Sequence, residues 1–200
     1  MIRIITYEDL ELDTMIIRRA TNQDASAVAA LILLAIEDIG YTLTGKRTEA
    51  EVFQQLMRFY VDEGNRFSKD LIIVIEDGQN VAGMILCYHG SDAARLNEPI
   101  IEHLTRLDET SVVRIDQEAD VDEFYIDALA VSPGYQGRGF AKQLIAAAEQ
   151  LGSQLNYRKI ALNVYQANEN ALRLYQKLGY QSVKAITIDG KPYWHMSKML

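Results

Sequence analysis

One segment of the chain, residues 125–141, joins a strand, a glycine-rich loop and the start of a helix. Its sequence is YIDALAVSPGYQGRGFA, in which an apolar run is followed by glycines at 134, 137 and 139. Apolar residues then recur at i, i+4, i+8 and i+11 from Phe140, which predicts an amphipathic helix. Unpaired N–H groups of such a loop form a cradle for phosphate oxygens, and glycines remove the Cβ atoms that would keep a phosphate away. The segment therefore predicts a phosphate-binding junction.

The spacing of the glycines distinguishes between types of phosphate loop. A Rossmann loop has the pattern G-x-G-x-x-G, and a P-loop ends in Gly-Lys-Ser/Thr. From Gly134 to Gly139 the chain has the pattern G-x-x-G-x-G, and no acidic residue stands where a ribose partner is expected. A nicotinamide-dependent oxidoreductase is therefore excluded. A turn that needs its glycines only for geometry is the remaining alternative at this level.

Length and composition are those of an ordinary globular chain. Two hundred residues suit one domain, and a content of 48% hydrophobic and 24% charged residues is typical. No apolar run reaches the ~18 residues of a membrane span, and the polar residues before Met15 exclude an export signal. The single cysteine, Cys87, excludes an internal disulfide, so we expect a cytoplasmic location. Cys and His are too few for a structural zinc site, and no metal is expected.

The net charge of −8 is distributed unevenly. Residues 1–122 carry −12, whereas residues 123–200 carry +4. The second part would favour an anionic cofactor and the first a cationic substrate, although acidity that only keeps the chain soluble is an equal alternative. Because no basic stripe with interleaved aromatic residues is present, nucleic-acid binding is not expected.

Periodicity and turn residues predict seven strands and five helices. Residues 1–14 are interpreted as an N-terminal extension, and residues 15–200 as one domain. The predicted strands are 15–20, 71–76, 81–88, 123–131, 159–165, 181–188 and 193–199. The predicted helices are one from 25 that Gly40 ends, then 49–63, 98–107, 140–151 and 168–178.

Residues 91–122 form an acidic insertion between two predicted strands. They hold nine Asp or Glu residues and three Arg residues. Pro99 is expected in the first turn of the short helix within them. An insertion of this length is usually functional or mobile.

Two motifs resemble the GNAT family of N-acetyltransferases. Gln136-x-x-Gly139-x-Ala141 is similar to the family's acetyl-CoA pyrophosphate loop, Q/R-x-x-G-x-G/A, and LNVYxxNxxAxxLYxxxGY from Leu162 to Tyr180 is similar to a later motif. The order of elements over residues 15–200 resembles the family as well. The resemblance implies a mixed α/β fold, with a central, mixed but mostly antiparallel sheet flanked by helices.

The resemblance also implies acetyl-CoA as cosubstrate and a set of residues that hold it. The backbone of the motif strand is expected to pair with pantetheine, the glycine loop with the phosphates, and an asparagine with CoA. For Asn168 a plain helix cap is an equal alternative, and for Arg138 a solvent-facing position. The expected cofactor residues are Leu129, Ala130, Val131, Gln136, Gly137, Arg138, Gly139, Phe140, Ala141 and Asn168.

Three residues are expected to perform the chemistry. In the family, a tyrosine at the position of Tyr175 points at the CoA sulfur and is the usual general acid. The alternative is an aromatic residue packed on its helix. Glu123, Tyr125 and Asp127 alternate on one strand face, and by resemblance a carboxylate there removes the amine proton. Asp127 ranks before Glu123, and a salt-bridged edge carboxylate is the alternative for both. His195 is interpreted as structural.

The sequence therefore predicts transfer of an acetyl group from acetyl-CoA to a primary amine of a small molecule or peptide. Direct attack in a ternary complex is expected, because nothing that resembles an activated nucleophile accompanies Cys87. The amine is expected to be cationic. A non-catalytic acetyl-CoA sensor with the same fold is the alternative. Neither a nucleic acid nor a membrane is an expected partner, and a homodimer is left open.

Overall fold

The computed structural model describes residues 15–110 and 112–200, and its elements follow the predicted order with one additional helix. The predicted extension, residues 1–14, lies outside the described residues. The strands are β1 (Met15–Arg19), β2 (Ile72–Asp77), β3 (Asn80–His89), β4 (Phe124–Val131), β5 (Lys159–Tyr165), β6 (Gln181–Ile188) and β7 (Lys191–Met199). The helices are α1 (Ala25–Ile36), α2 (Ile39–Thr44), α3 (Glu49–Val61), α4 (Ala93–Leu107), α5 (Phe140–Gln154) and α6 (Glu169–Lys177). Within these ranges, no helix has the length and apolar character needed to cross a bilayer.

The seven strands form one sheet in the order β1-β2-β3-β4-β5-β7-β6. All neighbours are antiparallel except β4 and β5, which are parallel and are connected through α5. The predicted fold class, a mixed and mostly antiparallel sheet flanked by helices, is confirmed. β4 and β5 pair only from Phe124–Ile160 to Ile126–Leu162, although both strands continue further. They therefore diverge, and the opening between them is called the wedge.

Helices cover both faces of the sheet, and each face has its own core. Helices α1, α3 and α4 bury Val28, Leu56 and Ile100 against one face. Helices α5 and α6 bury Leu144 and Tyr175 against the other. Because both faces are covered, most of β3 is buried and its sequence is a nearly continuous apolar run.

The prediction that Gly40 ends the first helix is wrong. Helix α1 ends at Ile36, where Glu37 takes a φ of 47° and donates its N–H to the carbonyl oxygen of Leu33. Gly40 lies inside the additional helix α2, where a Cβ atom would come within 3.2 Å of Val52 in α3. The glycine therefore allows close packing of two helices, and its spacing alone does not distinguish this from helix termination.

The predicted place of Pro99 in a first helical turn is also wrong. Helix α4 begins at Ala93, and Pro99 lies in its interior. A proline there removes one backbone hydrogen bond, but Leu96 and Ile100 beside it are buried, and their packing maintains the helix. The first half of the acidic insertion is therefore a packed helix. The described residues between α4 and β4 form no further helix or strand.

Candidate active site

The wedge between β4 and β5 contains a cavity of about 240 Å³. Asp127 and Leu129 line it from β4, Asn163 lines it from β5, and Asn168 and Tyr175 line it from α6 and its cap. The wedge-facing edge of β4 beyond Ile126 has no strand partner among the described residues. An extended ligand can bond to such an edge as an added strand would. The fold thus places several of the predicted residues around one opening.

The loop at residues 136–141 has the open backbone that a phosphate needs. Gly137 and Gly139 have φ values of 78° and 84°. Apart from the adjacent residues in the chain, a Cβ atom on either glycine would meet no described atom within 4 Å, so the space before the backbone is open to a ligand. Gly139 also caps the 15-residue helix α5, whose first N–H groups and dipole favour an anion. The loop therefore fits the pyrophosphate of CoA.

The side chains of this loop hold it in place. The Arg138 guanidinium donates from Nη1 to Asp77 Oδ2 at 2.6 Å and lies 4.9 Å from the centroid of the Phe140 ring. Gln136 donates to the carbonyl oxygen of Val131 at 3.2 Å, and Phe140 is buried. Contacts of this loop with CoA would therefore come mainly from the backbone, and a contact of Arg138 with the phosphates stays a prediction.

Tyr175 and Asn168 present their side chains from one helix. Tyr175 is largely buried, and burial raises the pKa of its phenol to about 12. The hydroxyl therefore keeps its proton at neutral pH, as a proton donor must. Asn168 Oδ1 accepts the N–H of Ala171 at 3.0 Å, so it caps the helix while it lines the cavity. Both alternatives for Asn168 are compatible with this geometry.

Asp127 is the extra residue of a β-bulge, because the pairing of β4 with β3 skips it. Its carboxylate accepts from Arg66 Nε at 3.0 Å and from Arg66 Nη2 at 2.5 Å. The two side chains are 3% and 4% exposed, respectively. One guanidinium group therefore engages both oxygens of the Asp127 carboxylate. The structure has the salt-bridged carboxylate that is the alternative for Asp127, and the role of Asp127 as the base stays a prediction.

A second carboxylate, Glu118 of the acidic insertion, contacts the same arginine. Its Oε1 accepts from Arg66 Nη2 at 2.9 Å, and its Oε2 accepts from the Tyr125 hydroxyl at 3.1 Å. Burial raises the pKa of Glu118, an effect that Arg66 opposes and Asp127 reinforces. A carboxyl group with a raised pKa is suited to accept a proton near neutral pH. Sequence reasoning missed Glu118 because it lies outside every motif, and its one signal was the acidity of the insertion before β4.

A second, larger cavity has a volume of about 490 Å³, and Ile39 lines both this cavity and the wedge. It is lined by α2 and the loop after it, the end of α4, residues 112–116, Glu118, and the end of β6 with the turn that follows. Its charged lining residues are Asp108, Asp116, Glu118, Asp189, Arg47 and Arg114. Acids outnumber arginines in this set, and a negative lining favours a cationic molecule.

Glu123 lines neither cavity, and its predicted catalytic role stays a prediction. It lies one residue before β4 and is fully buried. Its Oε2 lies 3.2 Å from His195 Nε2, and its Oε1 accepts the N–H of Asp120 at 2.9 Å. Strand β7 brings His195 beside this carboxylate, and the resulting contacts close it off from a substrate.

Comparison with known proteins identifies the family. The acetyltransferase (GNAT) family matches residues 36–180 of the chain. The chain belongs to this family. It is 30% identical over 74 residues to the uncharacterized N-acetyltransferase YycN of Bacillus subtilis (strain 168), an alignment that covers 37% of this chain and 47% of that protein. It is 32% identical over 72 residues to the spermine/spermidine N(1)-acetyltransferase of the same organism, covering 36% and 44%.

The alignments with these curated relatives span about half of the relatives' own length. A solved acetyltransferase structure is similar over nearly the whole chain, with a TM-score of 0.77 and 27% identity, covering 92% of this chain and 98% of that one. The family and the fold of the GNAT chain are therefore established together.

Proposed function

We propose that this chain transfers the acetyl group of acetyl-CoA to a primary amine, by direct attack while both substrates are bound. One observation carries the proposal. Tyr175 and Asn163 line the wedge, Glu118 lines the second cavity, and Asn163 Nδ2 donates to the main-chain carbonyl oxygen of Glu118 at 2.9 Å. The candidate proton donor, Tyr175, and the candidate proton acceptor, Glu118, thus line two cavities that are joined through Asn163.

Backbone groups would hold acetyl-CoA, which supplies an activated thioester. The N–H groups of residues 136–141 and the first turn of α5 favour the pyrophosphate. The edge of residues 129–131 offers N–H and C=O groups to the pantetheine amides. These contacts would direct the acetyl end into the wedge, toward Tyr175.

Two side chains of opposite character would move the protons. A primary amine arrives as an ammonium ion and must lose a proton before it can attack. Glu118, with its raised pKa, accepts that proton directly or through a water molecule. The neutral amine attacks the thioester carbonyl carbon, and the phenol of Tyr175 donates a proton to the sulfur as the C–S bond breaks. The nitrogen, cationic after the attack, loses its second proton, which restores the phenol directly or through a water molecule. Arg66 keeps the Glu118 carboxylate ionised before the reaction, and Asp127 holds Arg66 in place.

A covalent acetyl-enzyme is disfavoured by the state of Cys87. This residue is the single cysteine of the chain, and burial raises the pKa of its thiol far above neutral pH. A thiol that stays protonated and buried is a poor nucleophile. Direct transfer between the two bound substrates is therefore the simpler route.

The acceptor is proposed to be a cationic primary amine, such as a polyamine or the basic end of a peptide. The acidic majority in the lining of the 490 Å³ cavity supports this class. The name of the spermine/spermidine acetyltransferase, with which the chain shares 32% identity over 72 residues, supports it independently.

Thiol release from acetyl-CoA, measured with 1,6-diaminohexane and with 6-aminohexanoate, tests the proposal. The two amines have similar chains and differ in whether the far end carries a cation or a carboxylate. We expect turnover with both and a higher kcat/KM for the diamine. A non-catalytic sensor would bind acetyl-CoA in calorimetry and release no thiol with any amine, and that result would refute the proposed activity.

A further inference from the structure

Glu118 lies in a stretch without regular secondary structure, so its position depends on contacts with the rest of the protein. A catalytic group needs neighbours that fix its geometry to within about half an ångström. Two hydrogen bonds fix the carboxylate itself, from Arg66 and from the Tyr125 hydroxyl. Further contacts hold the main chain of residues 118–123.

Asn163 of β5 contacts two parts of this arrangement at once. Its Nδ2 donates to the Tyr125 hydroxyl oxygen at 2.8 Å and to the main-chain carbonyl oxygen of Glu118 at 2.9 Å. Because both amide hydrogens are used, the amide oxygen must face the opposite way. There it lies 2.8 Å from His195 Nδ1, which therefore carries a hydrogen.

His195 extends the contacts to the far end of the same turn. Its Nε2 lies 3.2 Å from Oε2 of Glu123, whose Oε1 accepts the N–H of Asp120. The main-chain carbonyl oxygen of Glu123 accepts the N–H of Gly90 at 2.8 Å. His195 and Glu123 are 1% and 0% exposed, so these hydrogen bonds are shielded from water.

We propose that Asn163, His195 and Glu123 are positioning residues that hold the turn of residues 118–123 on the sheet and direct the Tyr125 hydroxyl at Glu118. These three residues are called the clamp. The inference rests on the proposed role of Glu118 as the proton acceptor. It gives a function to Glu123, which was predicted to be catalytic, and to His195, which was interpreted as structural. Neither residue lines a cavity.

A metal ion is a weaker explanation of the same residues. Asp120, Glu123 and His195 do place ligand atoms within 4.8 Å of one another. However, Lys159 Nζ lies 3.5 Å from Glu123 Oε2, and Lys184 Nζ lies 2.6 Å from Asp120 Oδ1. Lys159 Nζ also lies 2.9 Å from Asp122 Oδ1, so two ammonium groups already pair with the carboxylates of this turn, and a divalent cation would be repelled by them or would have to displace them.

The clamp predicts a defined change in the acidity of Glu118. A hydrogen bond donated to a carboxylate favours its charged form, so loss of the Tyr125 contact raises the pKa of Glu118. The acid limb of the kcat/KM profile then moves to higher pH. The charged or titratable groups that act on Glu118 are Arg66, Asp127, Tyr125, Tyr88 and Tyr193. Those that lie beside His195 or pair with its carboxylate neighbours are Glu123, Asp120, Lys159 and Lys184.

Three substitutions of His195 separate positioning from simple core packing. His195→Asn keeps an N–H donor near the Nδ1 position and can still bond Asn163. His195→Gln reaches the Nε2 position and can still bond Glu123, but it loses Asn163. His195→Leu loses both contacts. We expect kcat to fall least in His195→Asn and by about 10²-fold in His195→Leu, because small displacements of reacting groups have effects of that size.

The affinity for acetyl-CoA should stay within about twofold of wild type in all three variants, since His195 lines neither cavity. The ¹³C resonance of the Glu118 carboxyl group, assigned by its loss in Glu118→Gln, should titrate about one pH unit higher in His195→Leu. If His195→Leu does not fold, the Asn and Gln variants give the same comparison. Equal rates and equal titrations in those two variants would overturn the clamp.

Glu118→Gln distinguishes failure of the clamp from failure of the proposed function. Full activity in Glu118→Gln would overturn the role of Glu118 as base and the clamp with it. An inactive Glu118→Gln, together with a folded His195→Leu that has the wild-type rate and titration, would overturn the clamp alone. A large loss in the first and a shifted titration in the second would support both.

Discussion

The region of residues 123–180 and the acidic insertion of residues 91–122 contribute to the site in different ways. In the first region the recognisable features belong to the backbone: two glycines of one loop with positive φ, a strand that diverges from its parallel neighbour, and a helix that begins at the loop. In the insertion the candidate chemistry depends on a side chain, Glu118, that is fixed by Arg66 and Tyr125. Arg66 lies 52 residues before Glu118 in sequence. A site made of backbone can be recognised from local spacing, whereas a site made of distant side chains cannot.

The largest expected effect concerns the arginine that links the two regions. Arg66→Leu leaves Asp127 and Glu118 buried without their counter-charge and should lower the free energy of unfolding by about 3–5 kcal/mol. Arg95→Leu is the matched control, because it breaks a solvent-exposed ion pair with Asp92 and should change stability little. Urea unfolding measures both. Equal losses in the two variants would show that Arg66 does not organise the site.

Tyr175→Phe should lower kcat by roughly 10²-fold and leave the affinity for acetyl-CoA unchanged, because only the proton donor is removed. Tyr180→Phe is the control, since Tyr180 is buried and packs edge-to-face on Tyr175 but does not line the wedge. Single-turnover kinetics would separate the chemical step from product release. A wild-type rate in Tyr175→Phe would make Tyr175 a packing residue.

The same contrast explains how far the sequence predicted the molecule. The positions of the strands along the chain and of the glycine loop depend on short-range patterns, and the structure has strands and a loop where those patterns occur. The resemblance to the family implies a base on the strand face that Asp127 shares with Tyr125, but no pattern shows that Arg66 pairs with Asp127. Glu123 shares that alternation, yet β7 covers it with His195. The predictions for Gly40 and Pro99 were wrong for a related reason. Packing of α2 against α3, and of α4 against the sheet, outweighed the local preferences of the glycine and the proline.

Substitution of either loop glycine should weaken acetyl-CoA binding by more than tenfold, or about 1.4 kcal/mol or more. Gly137→Val and Gly139→Val would each place a branched side chain in the open space before the backbone. Gly64→Val is the matched control, because Gly64 has a similar φ of 81° and equally open surroundings outside the loop. Gly64→Val therefore introduces the same backbone strain at a position outside the proposed cofactor site. Calorimetry that finds equal affinities in all three variants would remove the loop from the cofactor site.

The smallest expected effect is electrostatic selection by the acid-lined cavity. The ratio of kcat/KM for 1,6-diaminohexane to that for 6-aminohexanoate should fall severalfold from low to high salt, since charges are screened beyond ~8–10 Å at physiological ionic strength. Neutral butylamine serves as the reference for general salt effects. A ratio near one at low salt, with no response to added salt, would assign the acidity of the insertion to solubility alone.

The most direct test of the account compares Glu118→Gln with Asp127→Asn in the pH dependence of kcat/KM. If the insertion supplies the base, Glu118→Gln should lose about 10²-fold or more at neutral pH. Its profile should also lose the acid limb, whose midpoint in the wild type lies above the ordinary carboxyl range because burial raises the pKa of Glu118. Asp127→Asn should retain that limb, although its rate falls through the loosened Arg66. The account would be contradicted by a Glu118→Gln variant with the wild-type rate and profile, together with an Asp127→Asn variant that lacks the acid limb. Asp127 of β4 would then be the base.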